Sequence, residues 1–306
     1  MEMNNPIAQQ IKIQKINHLR VGYGKDDISL EDYTESVITI DKSGNILKEE
    51  RFSPDGSFES LVLNEYNDQN ILISSKEYDE QNNLIHEVTY LYDDKKLLQQ
   101  TTLYGEDSPH YVTRFVYEGE LLIKQESYVE DDFECVEKTF QYNEKQLLTK
   151  EVHFDDDGRT QYIYEYEYQP DGLLQKMVKT EVLEKDKRTY EYEYDNAGNK
   201  VKILVYNYQE QLIAKTYQWF SDDNILSETE EEDLNGYKKT IYQREGNLLT
   251  KVSIFGRDDE LQSWLDFEYD ESGRNTKMVN YIKNETDEES YRILYELIRH
   301  YTLPEA

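Results

Sequence analysis

One pattern limits what this chain can become: an aromatic residue, a polar turn, then apolar residues, recurring in register along most of its 306 residues. It reads YNDQNIL from Tyr66, YDDKKLL from Tyr92, YEGELL from Tyr117, YNEKQLL from Tyr142 and YQPDGLL from Tyr168. YDNAGNKV from Tyr194, FSDDNIL from Phe220, YQREGNLL from Tyr242 and YDESGRN from Tyr269 continue it, and IDKSGNIL from Ile40 precedes it. Seven of the nine steps between anchors are 25 or 26 residues; the step from Phe220 to Tyr242 is 22 and the next, to Tyr269, is 27. A fixed period of this size marks a repeat architecture. A looser aromatic series lies halfway between, at Phe52, Tyr78, Tyr104, Tyr128, Phe154, Tyr206, Phe255 and Tyr281. Each unit therefore holds two strands and two turns.

The segments between turns alternate. Tyr190, Tyr192 and Tyr194 share one face of a strand, and Glu191 and Glu193 the other. Tyr162, Tyr164, Tyr166 and Tyr168 do the same, and a period of two is the signature of a half-buried strand. After a turn at Asp195 to Asn199, a hairpin sets Lys200 and Lys202 beside the glutamates, and Val201, Ile203 and Val205 beside the tyrosines. A lone hairpin is marginal, so neighbouring units must bury one another. The fold class expected is all-β: about ten two-stranded antiparallel hairpin repeats, roughly twenty strands, in an extended, curled or superhelical sheet.

Three regions follow. Residues 1–36 lie outside the repeat and read as an N-terminal cap, with Lys12, Lys15, Arg20 and Lys25 outnumbering Glu2 in the first 25 positions. Residues 37–284 carry the hairpins. Residues 285–306 read as a C-terminal capping helix over the open sheet edge. Thr286 and Glu289 form a capping-box pattern, and Tyr291, Leu294, Tyr295 and Ile298 an apolar stripe. Arg299 and His300 suit the helix C-terminus, and Pro304 the stop.

Apolar residues make up 37% of the chain, against roughly 45–50% in ordinary domains, and 28 of them are tyrosines. Such a chain cannot build one thick aliphatic core. Its net charge of −31 favours basic partners and opposes nucleic acid and anionic membranes. The lone Cys135 fits a reducing compartment, and neither a leader peptide nor a long apolar span is legible. The expectation is a cytoplasmic protein with a protein partner and no cofactor.

The copies YDNAGNKVK at 194–202, YDESGRNTK at 269–277 and DKSGNILKE at 41–49 resemble the YD repeats of RHS-type proteins. That resemblance, over residues 37–282, implies turns shaped by Tyr-Asp and Gly-Asn elements in a sheet wound into a hollow shell. Only Tyr78, Tyr92, Tyr194 and Tyr269 are followed by Asp, and the spacing is longer than usual for the family. The chain is also similar to short bacterial antitoxins of MORN-like hairpins. Either likeness implies binding or encapsulation.

No residue pattern specifies catalysis. His18, His86, His110, His153 and His300 are scattered in the sequence, without metal-ligand spacing. Asp155 to Asp157 and Asp222 to Asn224 read as turns, since the glutamate-ended calcium loop is missing. Gly22, Gly24 and Lys25 lack phosphate-loop spacing, and Cys135 has no nearby His. Catalytic, cofactor and metal residues are therefore expected to be none. The partner-binding candidates are Trp219 and Trp264 as aromatic anchors, with an acidic loop of Glu228, Glu230, Glu231, Glu232 and Asp233 to steer a basic partner. The leading reading is a non-enzymatic, immunity-like binding protein. A structural shell or scaffold of an RHS-like system is the alternative, and an enzyme the third.

Overall fold

The computed structural model describes residues 7–19, 28–95, 97–105, 110–130, 132–283 and 291–302. Twenty-two antiparallel strands cross these residues, β1 to β22 in chain order, each hydrogen-bonded to the next. The last strand, β22 (Tyr291–Thr302), pairs with β1 (Ile7–Leu19) from Gln10↔Thr302 to Asn17↔Tyr295, and β1 pairs with β2 (Ile28–Asp41). The sheet is thus a closed up-and-down barrel. The extended, curled or superhelical open sheet expected from the repeat is overturned. Closure is the one arrangement that leaves a sheet of this size without an unpaired edge.

The expected C-terminal helix is overturned as well. Tyr291, Leu294, Tyr295, Ile298, Arg299 and His300 lie in β22, held on one side by β1 and on the other by β21 (Asn275–Lys283). The segment is apolar on both parities, so Tyr291, Ile293, Tyr295 and Leu297 satisfy a period of two as readily as its stripe satisfies 3.6. Two open strand edges decide the matter. Thr286, Glu289 and Pro304 fall outside the described residues. The 36/37 boundary falls inside β2, so residues 7–19 and 28–36 are barrel wall. A single 3-10 turn at Arg257–Asp259 is the only helical element among the described residues.

The turns explain the repeat. At Asp195 the backbone N–H of Gly198 donates to the Asp195 carbonyl (3.1 Å), and that of Asp195 to Asn199 O (3.0 Å). The Asp195 carboxylate accepts the N–H groups of Ala197 and Asn199, both at 2.9 Å. Gly198, at φ +84°, supplies the left-handed residue that ends such a loop. The same two side-chain bonds recur at Asp41, Asn67, Asp79, Asp93, Asn143, Asp155, Asn207 and Asp270. Gly stands three residues on in some turns and Asn in others, as at Asn82 and Asn224.

In several repeats the tyrosine before the turn has its own task. Tyr194, ending β14 (Asp186–Tyr194), donates its hydroxyl to Leu174 O, at the start of β13 (Leu174–Glu181), at 2.8 Å. Tyr142, Tyr168 and Tyr269 repeat this strut onto Leu122, Leu148 and Leu249. In these hairpins the bond closes the mouth and satisfies a strand-end carbonyl.

Between β14 and β15 (Lys200–Tyr206) the register runs Tyr190↔Val205, Tyr192↔Ile203, Glu193↔Lys202, then shifts to Tyr194↔Lys200. Lys202 meets Glu193 at 2.7 Å, as alternation predicts. Lys200 does not: the bulge at Val201 turns it to the tyrosine face, where its ammonium lies 4.4 Å from the Tyr192 ring centre.

Among the described residues the wall encloses no packed core. Buried apolar residues are spread around it (Leu47, Val112, Cys135, Val178, Val252 and Val279), and no described side chain is wholly buried. Eight strands already make a barrel that side chains just fill, and twenty-two cannot be filled. A compact chain of 36.6 kDa would expose roughly 13,500 Å². This one exposes 19422 Å², as a wall wetted on both faces should.

Candidate functional site

The acidic run is a strand and not the loop expected. Leu226–Asp233 is β17, between β16 (Leu212–Phe220) and β18 (Gly236–Glu245). Turns on either side and lysines on both neighbours make this possible for so acidic a segment. Register sets Glu232 opposite Lys215, Glu230 opposite Lys239 and Glu231 opposite Lys238. Lys215 lies 2.7 Å from Glu232, Lys239 lies 3.3 Å from Glu228 and 3.9 Å from Glu230, and Lys238 contacts Glu231. Arg257 reaches Glu232 at 3.1 Å. The hydrogen bond from Lys215, then that from Arg257, holds the Glu232 carboxyl below its ordinary range. Asp233 accepts the N–H groups of Asn235 (2.7 Å) and Gly236 (3.1 Å) and so shapes the next turn. Most of the run's charge is met within the sheet. A shallow depression of about 480 Å³, lined by Lys215, Thr216, Glu231, Glu232 and Tyr237 among others, opens beside it.

The two tryptophans are not brought together. Trp219 is on β16 and Trp264 on β20 (Leu261–Tyr269), with three strands between them, roughly 19 Å along the sheet. Trp264 stacks on Tyr281 with centroids 4.4 Å apart, meets Tyr291 edge-on at 4.9 Å and lies 4.9 Å from the Lys251 ammonium. Its indole N–H donates to Asp266 Oδ2 at 2.8 Å. Such a ring is a packing element. Trp219 is 44% exposed. It occupies the penultimate strand position held elsewhere by Glu65, Glu167, Glu193 and Glu268, and Leu91, 59% exposed, is its counterpart on β6 (Leu84–Tyr92).

Histidines read as isolated acquire partners in the sheet. His153 contacts Glu151, and the Tyr166 hydroxyl donates to the other oxygen of Glu151 at 3.3 Å. Burial first, and then the Glu151 charge, pushes the Tyr166 phenol far above its usual value. His86 lies 3.3 Å from Glu77 across a hairpin. A Glu and a His two apart on one strand share a face, and that was the available signal. No group of acids, histidines and cysteines that could hold a metal occurs among the described residues. Asp155 is engaged by its turn and by Arg159, and Cys135 is buried, with burial raising its thiol.

Sequence reasoning missed one surface. Tyr164, Tyr166 and Tyr168 of β12 (Thr160–Tyr168) and Tyr190, Tyr192 and Tyr194 of β14 lie on one face of the sheet, with Met177 and Lys179 of β13 between them. The alternation was legible in each strand; their alignment across β13 depends on register.

No family model matches the chain, and no curated protein is similar to it in sequence. Among solved structures it is similar to TcdB2-TccC3-Cdc42, at 14% identity over 89% of this chain and 18% of that one, with a TM-score of 0.38. TcdB2-TccC3 without its hypervariable C-terminal region gives the same score at 14% identity, over 83% and 18%. The chain thus spans under a fifth of those molecules. A porin-like protein from Bacteroides uniformis matches over 98% of this chain and 100% of its own, at 9% identity and a TM-score of 0.36. Scores of this size transfer neither fold nor function.

Proposed function

We propose that the chain is a non-enzymatic β-shell that binds a basic polypeptide in the cytoplasm. The observation that carries this reading is the closed wall whose two faces both meet water. Lys202–Glu193 and Lys277–Glu296 lie on one face, and His86–Glu77, Lys179–Glu181 and Lys238–Glu231 on the other. A lipid-spanning barrel needs an outward apolar band, and ion pairs on both faces favour water. The net charge of −31 supports a cationic partner. Trp219 is the exposed aromatic anchor beside the β17 ladder, and the role of scaffold fits the shell better than neutralisation of a toxin by a free acidic loop.

The test has two parts. Small-angle scattering in solution should give the pair-distance profile of a hollow particle; a compact solid profile overturns the shell. Titration with poly-lysine and poly-glutamate should show binding of the first alone, weakening as salt rises. Binding of neither, or binding indifferent to salt, overturns the basic partner.

A further inference from the structure

The two rims of the barrel are built differently. Turns that follow even-numbered strands lie at one end, and turns that follow odd-numbered strands at the other. At the first end, apolar residues beside a turn lean on the next turn. Leu147 reaches to 4.0 Å of the Cβ position of Gly172, and Leu248 to 3.9 Å of that of Gly273. At the second end, three successive turns hold an apolar side chain out in water. Leu183 is 67% exposed, Tyr208 63% and Leu234 84%, and Val182 and Leu212 beside them are exposed as well.

The turn chemistry does not call for these residues. Of the nine described turns capped in the manner of Asp195, eight continue with lysine, aspartate, glutamate or asparagine. The turn at Asn207 continues with Tyr208. In the turn of Leu234 the N–H groups of Asn235 and Gly236 are held by Asp233, and the leucine side chain takes no part. Single exposed apolar residues are ordinary, but three on consecutive hairpins make a patch, within roughly 19 Å across the strands.

Charge selects what can cover the patch. The three turns and the two that flank them (residues 155–159, 182–186, 207–211, 233–236 and 256–260) carry ten acids and three bases. A second copy would bring these acidic turns together, on molecules of net charge −31 each, and an anionic membrane would be repelled in the same way. A cationic segment with bulky apolar side chains complements both features.

We infer that this rim is the docking edge for a basic polypeptide segment that carries large apolar side chains among its lysines and arginines. Its apolar groups cover Leu183, Tyr208 and Leu234, and its cations face the acidic turns on either side. The inference rests on the basic-partner reading above, and adds where that partner sits and what it must carry besides charge. Net charge attracts any polycation, whereas apolar contact distinguishes one polycation from another.

The experiment measures affinity for two labelled peptides of equal length and charge, one of lysine and leucine and one of lysine and serine. The full chain should bind the leucine peptide roughly thirtyfold more tightly. The triple variant Leu183→Ser, Tyr208→Ser, Leu234→Ser should lose most of that preference. Leu234→Ser alone, at a site too exposed to disturb folding, should lose roughly threefold. Leu91→Ser, exposed at the opposite rim, should change nothing. Equal affinity for the two peptides, or a preference that survives the triple variant, overturns the rim while leaving the basic partner standing. Binding of neither peptide overturns both. Self-association in sedimentation, or capture by neutral vesicles, that the triple variant abolishes gives the rim another occupant and also overturns the inference.

Discussion

The regular hairpins and the seam where β22 meets β1 use the same backbone pairing but bring it about differently. In the hairpins from β11 (Leu148–Phe154) to β15, each strand finds its partner across a turn, and the struts reach about 20 residues, as from Tyr168 to Leu148. At the seam, Gln10 pairs with Thr302 and Ile13 with Arg299, almost the whole chain apart. Closing so long a loop costs entropy that no local turn offsets, so the seam should form last and open first. Repetition builds the wall, and closure is a separate event at its ends.

The largest test breaks closure. Ile13→Pro removes a ladder donor from a strand paired on both sides, opposite Ser36 and Arg299, and should cost about 3 kcal/mol or more. Scattering should show an expanded, aggregation-prone particle. Ile203→Pro, equally central between Tyr192 and Thr216, should disturb its own hairpins and leave the overall radius nearly unchanged. Equal expansion of the two would erase the distinction. Trp264→Ala should destabilise by about 3 kcal/mol, because it empties the stack on Tyr281 and Tyr291. By contrast Trp219→Ala should stay within about 0.5 kcal/mol in urea unfolding.

Smaller effects compare the struts. Tyr194→Phe and Tyr301→Phe each lose a 2.8 Å bond, to Leu174 O in the repeats and Asn275 O beside the seam. Each should cost about 1 kcal/mol at equilibrium. Native-state hydrogen exchange should show the Tyr301 variant opening β22 alone, with protection in the repeats unchanged. Gly198→Ala meets no neighbouring atom, so only the left-handed backbone opposes it, at about 1 kcal/mol.

The last prediction concerns acid. The turn carboxylates titrate below their ordinary values, held at Asp79 and Asp195 chiefly by the side-chain amides of Asn83 and Asn199, and at Asp155 and Asp270 by the backbone N–H of Arg159 and Arg274. A depressed folded-state value adds stability above the unfolded carboxylate pKa of about 3.9, and that stability is lost as pH falls through the folded value. Thermal unfolding should therefore be steady from neutrality to about pH 5 and fall below about pH 4. Asp195→Asn, which keeps an acceptor but has no titrating charge, should flatten part of that fall.

Much of the wall was legible in the chain. Where the aromatic is a strut-forming tyrosine, it, the Asp or Asn after it and the Gly or Asn three residues on each have a local reason: a strut, a capped turn and a left-handed backbone. Lys202 beside Glu193 followed from alternation alone, and Lys200 did not, because the bulge at Val201 is a property of the paired strands. The acidic run showed the same gap. LSETEEED has no apolar alternation, and it is a strand because Lys215, Lys238 and Lys239 lie on its neighbours.

The sequence by itself determined the hairpin, since turn chemistry and a period of two act within a dozen residues. Only the tertiary structure decided that the ribbon closes, that the C-terminal segment is its last strand, and that the tyrosines of β12 and β14 form one face across β13. These depend on register and on free strand edges far apart in sequence, and an edge has no residue type of its own to announce its partner.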